Sequence, residues 1–311
     1  MLSTATTLRA AQVGRAAALP ERARAAPMRV AMLEGVRQRN TLLDAFFYDI
    51  GKVSHDEAIA ISPWVAAEGA LLIVPPSGAG DLTLCPTLDD FVAAGGENVR
   101  TLAVAGVGSS ALGSAAFARN VADATRKPVA AVVSGYGLAD VISEAMGGFF
   151  WFGGLNSTRH LFEILDRVTE TDDRAERSLE NSAVDGMVGM SRDTRTVLAL
   201  LQDKRFRFDL LTGHSKGNLV LSEALYELQA IDERRIAALA DITQIVTISA
   251  RIAMPAAFAG VIDIMGAWDW FGGLNSRPDI EPEELVPGAW HHTNTELPAH
   301  LPVTKALQAV L

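Results

Sequence analysis

From residue 68 onward, short apolar runs alternate with longer segments in which apolar residues recur at helical spacing. The runs are rich in Val, Leu, Ile and Ala, which is typical of strands buried on both faces. They occupy residues 70–74, 101–107, 129–133, 208–211, 242–248, 260–265 and 285–290. Strands of this kind, separated by helices, predict an α/β fold with a mostly parallel central sheet and helices on both faces. Functional residues of such sheets lie at the carboxyl ends of the strands.

A glycine-flanked serine follows the fourth run, at residues 208–211. The sequence Gly213-His214-Ser215-Lys216-Gly217 stands between that run and a helical segment. This is the G-x-S-x-G spacing, in which a tight turn lifts a serine hydroxyl clear of the sheet and leaves no room for side chains two residues away. The pattern predicts Ser215 as a nucleophile, with the backbone N–H of Lys216 stabilising negative charge at the helix start. A plain glycine-rich turn with a capping serine is the alternative interpretation.

The segment GHSKGN, residues 213–218, resembles the nucleophile turn of the α/β-hydrolase superfamily, most of all its lipase and esterase branch. In the order of elements the resemblance covers roughly residues 70–311. It implies an α/β-hydrolase fold with a cap or lid insertion at about 138–187, and a triad in the chain order Ser, Asp or Glu, His. Lys216 departs from the small or apolar residue that often follows the serine, but only its backbone N–H is needed.

The resemblance places the acid of the triad after the penultimate strand, where Asp269 and Asp263 are candidates. Asp263 stands inside the apolar run, whereas Asp269 follows it. Residues 146–157 and 265–276 form an internal repeat that matches at nine of twelve positions, and Asp269 aligns with Phe150. The added carboxylate in a matched apolar context favours Asp269 as the acid. The alternatives are Asp263, or an Asp269 that only caps a turn.

The resemblance places the base between the last strand, expected at 285–290, and a final helix that begins near Pro302. Three histidines fit this interval: His291, His292 and His300. His300 is the preferred base because it stands at the entry to the helix. His292, next to the expected strand end, is the alternative, and His291 also remains open.

The loop after residues 101–107 is expected to supply the second oxyanion donor, at Ser109 or Ser110, because glycine and serine let the backbone approach a substrate oxygen. The same loop also resembles a dinucleotide-binding turn. Its spacing is G-x-G-x-x-x-x-G, however, and no acid ends the next strand. We therefore expect no cofactor and keep a nucleotide-dependent oxidoreductase as a minor alternative.

The two copies of the repeat each carry an aromatic patch that follows a predicted strand, so both lie at the carboxyl edge. The aromatic residues singled out as substrate-binding are Phe150, Trp151, Trp268 and Trp270. Flanked by glycine pairs, they are typical of an apolar acyl pocket with mobile hinges. Mutual packing as core is the alternative, and the matched segments also suggest a homodimer contact.

The N-terminal segment differs in charge from the rest of the chain. Residues 1–40 carry seven Arg and two acidic residues, a net charge of +5, whereas the whole chain has a net charge of −10. We divide the chain into a basic arm or helix over 1–45, expected to be solvated, and a hydrolase-type domain over 46–311. A targeting segment is the alternative for the arm, because transit peptides are rich in Arg and poor in acids.

Charge and cysteine content exclude several classes of protein. A net charge of −10 is opposite to what a general phosphate-backbone binder needs, so no nucleic-acid partner is expected. The single cysteine, Cys85, excludes a disulfide-stapled fold, and no Cys or His pairs stand at zinc spacing. No apolar stretch approaches the roughly 20 residues of a membrane span. With no secretion signal, these features indicate a cytoplasmic protein without a metal.

Together these observations predict a serine hydrolase of the lipase or carboxylesterase type, with an ester of small-molecule or lipid-like character as its substrate. A polyester or a thioester would require the same constellation. A non-catalytic hydrolase-like protein that binds a lipid or polymer surface is the alternative of another class, and a metal hydrolase is the least favoured.

Overall fold

The computed structural model describes residues 3–25, 40–62, 68–106, 108, 110–134 and 190–311. The expected cap or lid at about 138–187 lies outside the described residues, as do Phe150, Trp151 and Ser109. The predictions made for them therefore stay predictions.

The described strands form one eight-stranded sheet with the spatial order β2-β1-β4-β3-β5-β6-β7-β8. They are β1 (Leu71–Val74), β2 (Thr83–Cys85), β3 (Thr101–Val104), β4 (Val129–Val132), β5 (Leu210–His214), β6 (Gln244–Ile248), β7 (Val261–Gly266) and β8 (Glu284–Val286). All neighbours from β4 to β8 run parallel, whereas β1 runs antiparallel to both β2 and β4. The predicted α/β class with a mostly parallel sheet is confirmed. The apolar pattern missed β2, because Thr83 is exposed and Leu84 is half-buried on this edge strand.

Helices cover the sheet and connect most of its parallel strands, whereas a loop without a helix joins β6 to β7. They are α1 (Thr4–Ala25), α2 (40–47), α3 (His55–Ile61), α4 (Leu88–Ala93), α5 (Ala111–Thr125), α6 (Arg192–Gln202), α7 (Lys216–Ile231), α8 (Glu233–Ala240), α9 (Trp270–Leu274) and α10 (Val303–Val310). Among the described helices, none is long and apolar enough to cross a membrane.

Successive side chains of the central strands enter two separate cores. On β3, Leu102 and Val104 join one cluster, whereas Ala103 on the same strand joins the other. The cluster with Leu102 is covered by α4, α6, α7 and α8, and the cluster with Ala103 by α1, α3, α5 and α10. Because neighbouring residues of a strand point to opposite faces, this division places helices on both faces of the sheet.

The N-terminal segment differs from the solvated arm expected from its charge. Ala10 and Ala11 of α1 are buried in the core, and the Thr7 hydroxyl donates to the Val53 carbonyl over 3.3 Å. The N–H of Thr4 donates to the Glu296 carboxylate over 2.9 Å. The small residues of α1 allow this close approach, which the count of charges does not reveal.

Candidate active site

Ser215 stands directly after β5, at the turn where the chain enters α7. Its backbone has φ 53° and ψ −121°, a left-handed conformation that a residue with a side chain rarely adopts. A side chain at Gly217 would collide with the carbonyl of Val104 on the neighbouring strand, and one at Gly213 would lie 2.7 Å from the Asn218 nitrogen. The strained serine and the need for glycine on both sides are as the spacing predicted.

Ser215, His291 and Asp269 form one hydrogen-bonded chain. The Oγ of Ser215 lies 3.0 Å from Nε2 of His291. The other ring nitrogen, Nδ1, lies 2.9 and 3.0 Å from the two carboxylate oxygens of Asp269. A carboxylate can only accept, so Nδ1 carries the proton and Nε2 is the acceptor for the serine hydroxyl. All three side chains are buried.

Asp269 both caps a helix and binds the histidine. It precedes α9, and its carboxylate accepts the N–H of Gly272 over 2.6 Å. Burial by itself would raise the pKa of Asp269, yet the His291 ring and the N–H of Gly272 hold that pKa below its usual range. The carboxylate therefore stays ionised and can stabilise a positive charge on the imidazole. Asp269 therefore caps α9 and at the same time contacts His291, the position expected of the acid.

The histidine that reaches Ser215 is His291, not the preferred His300 or the alternative His292. Nδ1 of His300 donates to the Leu297 carbonyl over 3.0 Å, and Nε2 of His292 donates to the Pro298 carbonyl over 3.0 Å. Neither ring contacts the serine. The preference for His300 was wrong: it relied on the place of this residue at the entry to the final helix, and there the ring binds the Leu297 carbonyl instead.

Strand β8 in fact ends at Val286, so the histidine loop begins earlier. The N–H of Trp268 donates to the Ala289 carbonyl over 2.9 Å, which ties the loop to the turn that carries Asp269. His291 is thereby brought against Asp269. The N–H of Trp290 donates to the Ala299 carbonyl over 2.7 Å, so His300 stands on the returning leg of the same loop.

Asp263, the alternative acid, lies on β7 and faces a different partner. Its carboxylate accepts the hydroxyl of Thr247 on β6, and its own N–H donates to Glu283 over 2.7 Å. Burial and the neighbouring Glu283 raise the pKa of Asp263 to about 6. It makes no contact with His291, so the geometry assigns the acid position to Asp269.

Of the residues expected to form the oxyanion hole, the structure places Lys216 beside Ser215 but turns Ser110 toward another group. Lys216 is the first residue of α7 and stands beside Ser215, as expected. Ser110 faces a different group, because its hydroxyl donates to the buried Asp44 carboxyl group and accepts the N–H of Leu112 at the start of α5. Gly106 lies closer to the nucleophile: a side chain there would be 3.0 Å from Cβ of Ser215 and 3.2 Å from the Lys216 nitrogen.

The loop proposed as a dinucleotide turn is already filled by a carboxylate of the chain itself. Asp44 accepts the hydroxyl of Ser110, and its Oδ1 occupies the space that a side chain at Gly113, in the first turn of α5, would need. A pyrophosphate bound at this helix N-terminus would need the same space. The described residues also contain no group of three or more His, Cys, Asp or Glu side chains placed to hold a metal ion.

Aromatic side chains surround the histidine. The rings of Phe271 and Phe47 meet the His291 ring edge-on, with centroids 4.8 and 5.9 Å away. Trp268 and Trp270 flank Asp269 and are each 64% exposed, so they are not packed as core. Phe47 was not predicted from the sequence, because it comes from the segment assigned to the border of the arm and the domain.

Two further residues behind the triad were missed by the sequence analysis, Tyr48 and His214. Both are buried, with ring centroids 5.5 Å apart, and the His214 ring lies 5.1 Å from that of His291. Burial and the neighbouring His291 lower the pKa of His214 to about 3, so this ring is neutral. The available signal was a histidine and a tyrosine within apolar runs, where a buried polar group needs a partner.

Comparison of the chain with protein-family models, with curated proteins and with solved structures finds no match in any of the three.

Proposed function

We propose that this chain is a serine hydrolase that cleaves carboxylic esters. The observation that carries the proposal is the continuous hydrogen-bonded chain from Ser215 Oγ through His291 to Asp269, with distances of 3.0 and 2.9 Å. A serine is activated when a base lies within hydrogen-bond reach of its hydroxyl and a third group orients that base. The strained turn at Ser215 supports the same role, since backbone strain concentrates at functional sites.

In the proposed reaction, the Ser215 oxygen attacks the ester carbonyl while Nε2 of His291 takes the serine proton. The backbone N–H of Lys216 stabilises the developing oxyanion, aided by the N-terminal end of α7. His291 then returns the proton to the leaving alcohol, and a water molecule releases the acid by the same route. Asp269 keeps the proton on Nδ1 and stabilises the imidazolium. The second oxyanion donor was expected at Ser109 or Ser110, and for Ser109, which lies outside the described residues, this stays a prediction.

The mostly parallel sheet, the serine turn after β5 and the acid after β7 support an α/β-hydrolase fold of the lipase or esterase type. Apolar rings around His291, with Trp268 and Trp270 exposed beside Asp269, favour an ester with an apolar acyl group. A polyester or a thioester would require the same residues. Only an assay can therefore identify the acyl group and the leaving group of the substrate.

Hydrolysis of p-nitrophenyl esters of increasing acyl length, with a thioester series in parallel, tests the proposal. Wild type is expected to turn over esters, and Ser215→Ala to lose at least about 10³-fold in rate. Ser222→Ala is the matched control, because Ser222 lies on the same helix and its hydroxyl only donates to the Ala253 carbonyl over 2.7 Å. Equal rates for the two variants would overturn the proposal.

A second candidate is a non-catalytic protein that binds an apolar surface. It is favoured by the exposure of Trp268 and Trp270, since clustered exposed aromatic residues mark interaction sites. The two candidates differ in outcome: tight binding to an ester vesicle or polymer without turnover in any ester series would select the binding protein.

A further inference from the structure

A single hydrogen-bonded bridge runs behind the triad from the β3 loop to the histidine loop. The N–H of Gly106 donates to the Tyr48 hydroxyl over 2.7 Å, and Tyr48 lies 3.4 Å from Nδ1 of His214. On the far side, Nε2 of His214 donates to the His291 carbonyl over 2.9 Å. A carbonyl only accepts, so Nε2 carries the proton and the Tyr48 hydroxyl is the donor to Nδ1.

The two ends of this bridge stand at the two sides of the nucleophile. One end is the backbone of His291, whose ring receives the Ser215 hydroxyl. The other end is Gly106, where a side chain would lie 3.0 Å from Cβ of Ser215 and 3.2 Å from the Lys216 nitrogen. The bridge therefore fixes the base relative to the backbone on the opposite side of the serine.

The bridge is enclosed by the surrounding side chains. Tyr48 and His214 are 0% and 1% exposed, and Phe117 packs against both rings with centroids 6.3 and 5.9 Å away. Because water cannot replace a partner here, the loss of one hydrogen bond leaves a buried polar group unsatisfied.

The segment that carries Tyr48 also holds the histidine loop by its backbone. The carbonyl of Phe47 accepts both the N–H and the hydroxyl of Thr293, over 2.7 and 2.9 Å. The carbonyl of Ala45 accepts the side-chain amide of Asn294 over 2.6 Å. Four residues before Tyr48, Asp44 accepts the hydroxyl of Ser110 at the start of α5. One short segment thus anchors the loops on both sides of Ser215.

We propose that Tyr48 and His214 are positioning residues for the reaction, which hold His291 and the Gly106 backbone at the spacing that Ser215 needs. This inference rests on the proposed hydrolase function. Neither residue touches the reacting atoms, so both act through the geometry of others.

The first test compares Tyr48→Phe with Tyr226→Phe. Tyr226 is the matched control, because its hydroxyl donates to the Met254 carbonyl over 3.1 Å on the outer surface of α7. Ester hydrolysis is measured per active site, counted by fluorophosphonate titration, so that misfolded protein is not scored. Tyr48→Phe is expected to lower kcat at least about fivefold, the effect of one lost buried hydrogen bond, with KM nearly unchanged. An unchanged kcat per titrated site would overturn the positioning role.

The second test compares two substitutions of His214. A glutamine can still donate to the His291 carbonyl, whereas a leucine of similar size cannot. We expect kcat of His214→Gln to exceed that of His214→Leu at least about fivefold per titrated site. Equal values would count against the bridge even if Tyr48→Phe failed to fold.

A spectroscopic measurement is independent of turnover. Ring ¹⁵N NMR of wild type is expected to show His214 as the neutral Nε2–H form. In Tyr48→Phe the Nε2–H form is expected to persist, because Nε2 still donates to the His291 carbonyl, while the Nδ1 signal shifts because that nitrogen loses its hydrogen-bond donor. An unaltered His214 ring in that variant contradicts the bridge. A wild type that titrates no site refutes the hydrolase function and the positioning role with it, whereas normal titration with an unaffected kcat in Tyr48→Phe refutes only the latter.

Discussion

Nε2 of His291 lies 3.0 Å from Oγ of Ser215, although 76 residues separate them along the chain. The parallel strands β5 to β8 bring the two together, because their carboxyl ends share one edge of the sheet. The loop after β8 reaches back across β7 and is fixed there by the hydrogen bond from Trp268 to Ala289. Asp269 stands on the turn that this loop crosses, so one crossing places both the base and its acid.

The path of the loop after β8 predicts which histidine is needed for ester hydrolysis. His291→Ala is expected to lower ester hydrolysis by about 10³-fold or more, because among the described residues only the His291 ring reaches the serine hydroxyl. His300→Ala is expected to stay near the wild-type rate, since its ring only donates to the Leu297 carbonyl. Rates are measured side by side on one ester. A larger loss in His300→Ala than in His291→Ala would refute this assignment of the base.

Substitutions of Asp269 and Asp263 distinguish the two candidate acids in the same way. Asp269→Asn retains the size of the side chain but can hold the His291 ring in the wrong tautomer, and the expected loss in kcat is about 10⁴-fold. Asp263→Asn leaves the hydrogen-bonded chain to Ser215 intact and is expected to leave kcat close to wild type. If Asp263→Asn were the more damaging of the two, Asp269 would not be the acid.

The sequence was sufficient for the parts of the site that depend on local spacing. The two glycines around Ser215 and the carboxylate added to an otherwise matched repeat point to Ser215 and Asp269 without a structure. Both signals are local, since they depend on the tightness of one turn and on the comparison of two short segments.

The sequence could not predict which histidine contacts Ser215, nor the roles of Tyr48 and Asp44, for a different reason. Three histidines fit the same loop, and only the hydrogen bonds from Trp268 and Trp290 determine which of them faces the serine. Tyr48 lies 58 residues before Gly106, in a segment that charge counting assigned to the border of an arm. Contacts of this range are set by tertiary packing, which hydrophobic periodicity does not encode.

The tight turn predicts a contrast between two glycines. Gly217→Ala would place a methyl group 2.7 Å from the carbonyl carbon of Val104 and is expected to reduce the free energy of unfolding by about 3 kcal/mol. Gly273→Ala meets nothing within 4 Å and is expected to change it by less than about 1 kcal/mol. Urea denaturation of both variants makes the comparison, and equal stabilities would show that the turn is not as close to β3 as described.

The neutral, buried His214 predicts a pH dependence of stability. Burial lowers its pKa to about 3, whereas in the unfolded chain it titrates near about 6.5. Between these values the unfolded state binds a proton that the native state does not, so this contribution to stability is present above pH about 6.5 and is lost as the pH falls.

His214→Gln removes that titration. The difference in Tm between wild type and the variant is therefore expected to shift in favour of the variant as the pH is lowered from 7 to 4. Thermal unfolding followed by circular dichroism at each pH gives the two curves. A difference that stays constant over this range would contradict a neutral His214 in the native protein.

The central claim is that Ser215 is an activated nucleophile, and covalent labelling with a fluorophosphonate tests it most directly. Intact mass followed by tandem mass spectrometry of the adduct is expected to show one label per chain, located on Ser215, which Ser215→Ala abolishes and His291→Ala slows strongly. Absence of an adduct on folded wild type, with and without detergent, or an adduct on any other residue, would contradict the account.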